Sequence, residues 1–289
     1  MARLWACAAM ACALGAGAAF ATPSSTRSHG QAVHFRRFRF VDRSRTIRLP
    51  DGTRLPRSLE TVVRYPATGG PYPLIVFAHG YALTPETYSR LLGAWARAGY
   101  VVAAPAFPLE RAGARGGPDQ SDLVNEPRDV SFVIGRLLAL GALAGRIDPA
   151  RIAVAGHSDG AVVALAVAFD RRFRDRRARA AIVLSGAALP GMGPFPHGGP
   201  PLLAVQGTAD PINAPATTAA FFRRARRPKF LLWLLGASHL PPYTTQEPQL
   251  RIVERVTTAF LGHYLEGRPL RPLYRRAQRP GLTRFAAGP

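Results

Sequence analysis

Short apolar runs alternate with amphipathic stretches along most of the chain. Uninterrupted apolar runs bounded by Pro or Gly are typical of strands buried on both faces, whereas apolar positions three and four residues apart are typical of helices that cover a sheet. The pattern predicts strands at residues 33–41, 60–65, 74–78, 100–104, 151–155, 181–184, 202–205 and 230–235. It predicts helices at residues 85–98, 126–144, 161–169, 214–225 and 248–265. Because helices separate most of these strands, we expect one α/β domain with a mostly parallel central sheet and helices on both faces.

The first 21 residues have the layout of a secretory signal peptide. Arg3 precedes an apolar stretch rich in Ala, and Ala19-Phe20-Ala21 provides a small-x-small cleavage site. An uncleaved membrane anchor is the alternative, which the modest hydrophobicity of Ala and Gly disfavours. A lipid anchor on Cys12 is disfavoured because the residues before it lack the order typical of such sites. We therefore expect residues 1–21 to be removed and the protein to be secreted, either to the periplasm or outside the cell.

The rest of the chain divides into a folded domain at residues 22–267 and a C-terminal segment at residues 268–289. Apolar residues make up 47% of the chain, which is enough to build a core and excludes disorder for most of its length. The C-terminal segment contains six arginines and no acidic residue. We therefore expect it to be a loosely packed basic tail.

The net charge of +21 bears on the possible partners. Such a charge favours contact with anionic surfaces, but no zinc-finger spacing and no RNP-like aromatic motif accompanies the scattered arginines. We expect adsorption to anionic surfaces and no specific nucleic-acid partner. Cys7 and Cys12 both lie in the predicted signal peptide, so the secreted chain would contain no disulfide and no thiolate metal site.

The segment Gly156-His157-Ser158-Asp159-Gly160 fits the pattern Gly-x-Ser-x-Gly. An apolar strand is predicted before it and an amphipathic helix after it, so the segment would form a sharp turn that lifts the Ser158 hydroxyl clear of the sheet. Glycine is favoured at both flanks because the backbone passes close to itself in such a turn. A chance match in a glycine-rich chain is the alternative, and the flanking strand and helix disfavour it. The segment therefore predicts that Ser158 is a nucleophile.

A serine nucleophile needs a base and a carboxylate that orients the base. His239 directly follows a predicted strand, at a place from which a loop can reach back over Ser158. Asp210 follows the preceding predicted strand and is the only acidic residue between Asp175 and Glu247. A surface-loop histidine and a helix-capping aspartate are the plain alternatives. The order Ser158, Asp210, His239 predicts a catalytic triad.

Attack on a carbonyl creates an oxyanion, which backbone N–H groups must stabilise. Asp159, the residue after the nucleophile, is predicted to supply one N–H group, and Tyr81, in the loop after the strand at residues 74–78, the other. The side chains of Tyr81 and His157 are predicted to line the substrate cleft, with simple packing of the Tyr81 ring as the alternative. This chemistry requires no metal ion and no cofactor.

These motifs resemble those of the α/β-hydrolase superfamily. The chain is most similar to its secreted branch, which holds cutinase-type polyester hydrolases, chlorophyllase-like esterases and dienelactone-hydrolase-like proteins. The matching segments lie within residues 60–265 and are residues 79–81, 126–133, 156–160, 207–210 and 236–239. Asp159 departs from the cutinase pattern, in which a methionine is usual at that position, and the disulfide often found near the C-terminus of cutinases cannot form here. Ser158 also stands in place of the cysteine nucleophile of dienelactone hydrolases.

The connection between the strands predicted at residues 181–184 and 202–205 is short. Only about fifteen residues, rich in Gly and Pro, follow Ser185 there, which leaves no room for the helical cap that many related hydrolases carry. The resemblance therefore implies an α/β-hydrolase fold with no sizeable cap domain. An open cleft of this kind suits short acyl esters or a polymer surface.

Taken together, these features predict a monomeric, secreted serine carboxylic-ester hydrolase acting on a small or polymeric ester. One alternative is a cutinase-like polyesterase or lipase acting on an insoluble substrate. Another is a non-catalytic surface-binding protein on a hydrolase scaffold. A peptidase or an acyltransferase also remains open, because the fold does not fix the leaving group.

Overall fold

Nine strands form a single sheet in the part of the chain that the structure describes. The computed structural model describes residues 31–288, so the signal peptide predicted at residues 1–21 lies outside the described residues. Each predicted strand overlaps an observed one. The strands are β1 (Val33–Arg48), β2 (Arg54–Pro66), β3 (Tyr72–Ala78), β4 (Val101–Ala106), β5 (Ile147–His157), β6 (Ala178–Leu184), β7 (Leu202–Gly207), β8 (Lys229–Leu234) and β9 (Thr283–Gly288).

The strands lie in the order β1-β2-β4-β3-β5-β6-β7-β8-β9 across the sheet. The six strands from β4 to β8 in that order are parallel to one another. At one end of the sheet β2 pairs antiparallel with both β1 and β4, and at the other end β9 pairs antiparallel with β8. The mostly parallel sheet expected from the sequence is confirmed. Because the carboxyl ends of parallel strands meet at one edge, the loops after β3, β5, β7 and β8 come together there.

Helices cover both faces of the sheet, and each face has its own apolar core. Side chains of α2, α3 and α4 pack in the first core, and side chains of α1, α6 and α7 pack in the second. Residues Gly160 to Phe169 of α3 are all buried, as expected for a helix enclosed by its neighbours. Within residues 31–288, no helix is long and apolar enough to cross a bilayer. The helices are α1 (Ser89–Arg97), α2 (Glu126–Leu138), α3 (Asp159–Phe169), α4 (Pro215–Arg224), α5 (Pro241–Thr244), α6 (Gln249–Glu266) and α7 (Arg271–Ala277).

Two helices are shorter than the sequence pattern predicts. The helix predicted at residues 126–144 stops at Leu138, and a separate 3-10 turn follows at Gly141–Leu143. The glycine at the start of that turn is a poor helix former, which favours a break there. The helix predicted at residues 85–98 begins as a 3-10 turn at Pro85–Tyr88 and becomes α-helical only afterwards.

The C-terminal segment at residues 268–289 is part of the fold, so the prediction of a loosely packed tail is wrong. Its helix α7 buries Leu273 and Ala277 in the second core, and β9 extends the sheet beyond β8. The ring of Phe285 on β9 stacks on that of Phe230, with centroids 6.0 Å apart and an interplanar angle of 11°. The few apolar residues of the segment are thus spaced to reach the core. The folded domain therefore continues past residue 267.

The carboxyl edge of the sheet carries no helical cap. Residues 185–201 connect β6 to β7, and none of them forms a helix. The absence of a sizeable cap at this connection agrees with the expectation from its length. Access to the loops that follow β5, β7 and β8 is therefore not blocked from this side.

Candidate active site

The turn between β5 and α3 closes only because two of its residues are glycines. A Cβ atom on Gly156 would lie 2.0 Å from the carbonyl oxygen of Gly160, and one on Gly160 would lie 2.1 Å from that of Ala78. Both distances are far below any non-bonded contact, so no other residue fits at either position. Ser158, between them, has φ 56° and ψ −121°, a conformation that non-glycine residues rarely adopt and that costs on the order of 1–3 kcal/mol. Such strain is typical of a residue that the fold holds in place for chemistry.

Three side chains from three loops form one hydrogen-bonded relay at this edge of the sheet. Ser158 Oγ lies 2.9 Å from Nε2 of His239. On the other side of the same ring, Nδ1 lies 2.8 Å from Oδ2 of Asp210. The structure therefore brings together the serine, the histidine and the aspartate that the sequence singled out, although 81 residues separate Ser158 from His239.

The Asp210 carboxyl group is held in its ionised form. Burial alone would raise its pKa, but hydrogen bonds from His239 and from two backbone N–H groups outweigh burial and lower the pKa below its usual value. Those N–H groups belong to Asn213 and Ile212, each 2.9 Å from Oδ1. Gln206 Nε2 donates a further bond of 2.9 Å to Oδ2. A carboxylate that accepts these bonds keeps Nδ1 of the neighbouring imidazole protonated, so Nε2 is free to accept the serine proton.

His157 is fully buried, so the prediction that it lines the substrate cleft is wrong. Its Nε2 lies 2.9 Å from the backbone oxygen of His239, which can only accept a hydrogen bond. Nε2 therefore carries the proton, and Nδ1 accepts from the Tyr88 hydroxyl 2.8 Å away. Burial, together with the nearby His239, lowers the pKa of His157 to about 3, so the ring stays neutral. The hydrogen bond from the His157 imidazole therefore fixes the position of the His239 backbone.

The Tyr88 hydroxyl connects this buried histidine to the loop after β3. It accepts a hydrogen bond of 3.3 Å from the backbone N–H of Gly80. A Cβ atom placed on Gly80 would lie 3.0 Å from Cβ of Ser158, which shows how closely the loop approaches the serine. A chain of hydrogen bonds therefore runs from this loop through Tyr88 and His157 to the loop that carries His239. Sequence reasoning did not identify Tyr88, because its position in a short 3-10 turn gives no sign of the bonds it makes.

The loop that holds Tyr81 lies at the rim of the site. The Tyr81 side chain is 41% exposed, and its hydroxyl donates to the backbone oxygen of Pro118 at 3.1 Å. The following residue, Ala82, has φ 53° and donates its N–H to the backbone oxygen of Glu110 at 3.0 Å. These bonds hold the loop against Ser158. The assignment of the Tyr81 and Asp159 N–H groups to an oxyanion hole stays a prediction.

Three carboxylic acids, Glu110, Glu126 and Asp159, form a group next to Ser158, on the side of the residue that follows it in the chain. The carboxyl of Glu110 contacts those of Glu126 and Asp159. Glu110 and Glu126 are fully buried, and none of their carboxyl oxygens accepts a hydrogen bond from an N–H group or a hydroxyl among the described residues. Burial and the neighbouring acids raise the pKa of Glu110 to about 9 and that of Glu126 well above its usual value. Both groups are therefore protonated at neutral pH, so Glu126 can donate a hydrogen bond to Glu110, and Glu110 can donate one to Asp159.

One polar contact reaches this acidic group directly, and an ion pair holds the neighbouring carboxylates. Gln120 Nε2 donates to Oδ2 of Asp159 at 2.6 Å. The adjacent carboxylates of Asp122 and Asp129 are paired with the buried guanidinium of Arg57, whose nitrogens lie 2.6 to 2.9 Å from their oxygens. Only Asp159 of the acidic group was identified from the sequence. Glu126 looked like an ordinary acidic residue at a helix start, a position that normally faces water.

The described residues offer no metal centre. Within residues 31–288, no cluster of three or more His, Cys, Asp or Glu side chains is arranged to hold a metal ion. The buried acids Glu110 and Glu126 face each other in a pair, which favours shared protons rather than a bound cation. The groups available for chemistry at this edge are therefore the hydroxyl, the imidazole, the carboxylate and the backbone N–H groups.

The fold and the arrangement of the site define an α/β-hydrolase. The model of the chlorophyllase family matches residues 38–207, more than half of the chain, so the protein belongs to the chlorophyllase family. This membership supports a hydrolase of the esterase type. The matched region includes Ser158 and ends before Asp210 and His239. Comparison with curated proteins finds no match.

A solved structure shares the fold over nearly its whole length. The chain is similar to a ferulic acid esterase from Streptomyces cinnamoneus, with a TM-score of 0.67 and 21% sequence identity. The match covers 90% of this chain and 96% of that chain. At this level of identity the similarity establishes the fold. The α/β-hydrolase fold expected from the sequence is thereby confirmed.

We expect Tyr88→Phe to lower kcat for ester hydrolysis by about tenfold and to leave KM almost unchanged. The change removes the hydroxyl that links Gly80 to His157, so the two loops that flank Ser158 lose a common support. Steady-state kinetics with a p-nitrophenyl ester measures both constants.

Tyr243→Phe is the matched control for this change. Tyr243 is also buried against the His157 ring, with centroids 5.0 Å apart, but its hydroxyl bonds to Ser185 and to the Val205 backbone oxygen. Equal losses of kcat in both variants would contradict a specific positioning role for Tyr88.

We expect Glu110→Gln to raise the free energy of unfolding, and to raise it more at pH 8 than at pH 5. The folded protein holds the Glu110 proton up to a pH of about 9, whereas the unfolded chain loses it near 4.5. Stability is therefore lost progressively as the pH rises between these two values, and the uncharged glutamine avoids this loss. Urea unfolding at both pH values measures the difference.

The exposed Glu60 on β2 provides the control for this measurement. Glu60→Gln removes the same charge at the surface and should show no gain that grows with pH. A gain for Glu110→Gln that is the same at pH 5 and pH 8, or that shrinks as pH rises, would mean that Glu110 is not held protonated.

Proposed function

We propose that this protein is a serine carboxylic-ester hydrolase that works through an acyl-enzyme on Ser158. The relay of hydrogen bonds from Ser158 through His239 to Asp210 is the single observation that carries the proposal. A hydroxyl within 2.9 Å of a neutral imidazole nitrogen can lose its proton as it attacks a carbonyl. Membership of the chlorophyllase family, and a fold shared with a ferulic acid esterase, support an ester as the substrate.

In the first half of the reaction, Ser158 Oγ bonds to the ester carbonyl carbon while its proton passes to Nε2 of His239. The carbonyl oxygen becomes an oxyanion, which we assign to the backbone N–H groups of Tyr81 and Asp159. Asp210 stabilises the imidazolium that has formed. The tetrahedral intermediate then expels the alkoxide, which takes the proton from Nε2 and leaves as the alcohol.

In the second half, water replaces the alcohol and releases the acid. Nε2 of His239 takes a proton from the water as its oxygen bonds to the acyl carbon. Collapse of the second intermediate breaks the bond to Ser158 Oγ, which regains the proton from His239. The three side chains return to their starting state, and no metal ion or cofactor takes part in either half.

An uncharged ester at an open site fits the surroundings of Ser158 best. The β6–β7 connection carries no helix, and two apolar side chains stand exposed near the relay, Tyr81 at 41% and Ile212 at 68%. Ile212 also donates its backbone N–H to Asp210, which places it at the rim of the site. The carboxyl of Asp159 follows the serine directly and would disfavour an anionic substrate near the acyl carbon. We therefore propose small neutral esters as the primary substrates.

The compartment and oligomeric state are further parts of the proposal. The signal-peptide pattern at residues 1–21 supports secretion to the periplasm or outside the cell. We propose a monomer, because a relay built entirely from one chain needs no second copy.

A cutinase-like polyesterase or lipase acting on an insoluble substrate is the second candidate. The exposed Tyr81 and Ile212 beside an uncapped site favour it, because a polymer surface can approach such a rim directly. The positive charge of the chain would assist adsorption to an anionic material. A non-catalytic binding protein is disfavoured by the relay, whose members have no need to be hydrogen-bonded in series for binding alone.

We expect Ser158→Ala to lower kcat/KM for p-nitrophenyl esters by at least about 10⁴-fold. The variant keeps the imidazole and the carboxylate but has no atom that can form the acyl bond. Its unfolding curve, followed by circular dichroism, should resemble that of the unchanged protein. Turnover that persists at the unchanged rate in a folded variant would show that the nucleophile lies elsewhere.

We expect soluble neutral esters to be hydrolysed faster than a polyester powder, and at a rate that added NaCl does not change. Hydrolysis of an anionic polymer should fall with salt, because screening weakens adsorption through arginine. Assaying a soluble neutral ester, a polyester powder and an anionic polymer side by side over a range of NaCl concentrations tests both expectations. Faster turnover on the polymer than on any soluble ester would support the second candidate instead.

A further inference from the structure

A cavity of about 760 Å³ lies between α1, α6 and the C-terminal segment, and arginines dominate its walls. Two of them come from α1, two from α6 and four from residues 268–279. None of its lining residues belongs to the relay or to the acidic group next to Ser158. Arginine makes up roughly an eighth of the whole chain but more than half of this lining, so the cavity concentrates positive charge beyond the overall composition.

Two acidic residues, Glu247 and Glu254, also line the cavity, and acidic residues neutralise only part of its charge. Glu247 is paired with Arg90 and lies 3.9 Å from Arg251, and Arg268 is paired with Glu266 at 3.1 Å. The remaining cavity arginines have no carboxylate within 4 Å among the described residues. They are Arg97, Arg255, Arg275, Arg276 and Arg279. Some arginines outside the cavity do have a carboxylate partner, as when Arg172 pairs with Asp170 and Arg177 with Asp175.

The guanidinium groups converge even though they repel one another. Arg276 is half-buried, and its Nη1 donates to the backbone oxygen of Arg255 at 3.3 Å, which holds the side chain inside the cavity. Burial and the charges of Arg255, Arg275 and Arg268 lower the pKa of Arg276. Like charges held together in this way are stabilised when an anion binds between them.

We propose that this cavity is a binding site for a compact anion that carries two or more phosphate groups. Its volume lies in the range of small-molecule sites. Planar guanidinium forks match phosphate oxygens in pairs, so several of them around one cavity select a multivalent phosphate over a single one. Several phosphate groups close together occur in a free oligophosphate and in the headgroup of a polyphosphorylated phosphoinositide lipid.

Isothermal titration of the full chain with tripolyphosphate and with orthophosphate, at one ionic strength, tests the site. We expect one tripolyphosphate per chain, bound about tenfold or more tightly than orthophosphate. The double variant Arg255→Gln/Arg276→Gln should weaken tripolyphosphate binding by about tenfold or more. Arg97→Gln/Arg279→Gln removes two arginines from other walls of the cavity and should weaken it similarly, which covers the case that one variant fails to fold.

The control is Arg171→Gln/Arg176→Gln, which removes two exposed arginines outside the cavity. It lowers the net charge equally and should change binding less than about threefold. Equal weakening by the control and the cavity variants, several equivalent sites per chain, or no saturable binding would overturn the proposal.

Vesicles of phosphatidylcholine with and without phosphatidylinositol bisphosphate distinguish the two sources of phosphate. Capture by the acidic vesicles that tripolyphosphate reverses, and that Arg255→Gln/Arg276→Gln abolishes, would support a lipid headgroup. Binding of tripolyphosphate without such capture would support a free oligophosphate. Capture that survives in the cavity variants, together with tripolyphosphate binding that they do not weaken, would contradict the site.

Discussion

The site depends on one close backbone contact, that of Gly160 with the carbonyl oxygen of Ala78 at the end of β3. Only hydrogen atoms fit between them, since a Cβ on Gly160 would lie 2.1 Å from that oxygen. The contact draws the start of α3 against the loop after β3, so Ser158 and Gly80 become neighbours. The nucleophile and the loop that would bind the oxyanion are therefore positioned by the same packing, and α3 is fixed because it is buried on all sides.

Carboxylic acids on two sides of Ser158 are held in opposite protonation states. Asp210 accepts hydrogen bonds from two backbone N–H groups, an amide and an imidazole, which lower its pKa and keep it charged. Glu110 and Glu126 are more deeply enclosed and accept no hydrogen bond from an N–H group, so burial keeps them neutral. The local supply of donors, rather than the residue type, decides which acid can stabilise an imidazolium.

The alternation of strands and helices and the order of the relay residues were predictable from the sequence. Each depends on local signals: apolar runs between turn residues, and one serine, one aspartate and one histidine that each follow a strand of the parallel sheet. The burial of His157 and its bond to Tyr88 were not predictable, because they arise only when two loops distant in sequence meet. The composition of the C-terminal segment, with six arginines and no acidic residue, predicts a loose tail, whereas the positions of Leu273 and Phe285 allow both side chains to reach the core. The positions of the apolar residues along a segment determine whether they reach the core, and the overall composition of the segment does not show those positions.

The central claim is that Ser158 carries the acyl group, and covalent trapping tests it most directly. The protein would be inactivated with a fluorophosphonate, digested, and its peptides analysed by mass spectrometry. The account predicts one adduct per chain, on the peptide that contains Ser158, formed at the same rate as ester hydrolysis is lost. Adduct on another residue, or unmodified Ser158 in protein that the reagent has fully inactivated, would contradict it.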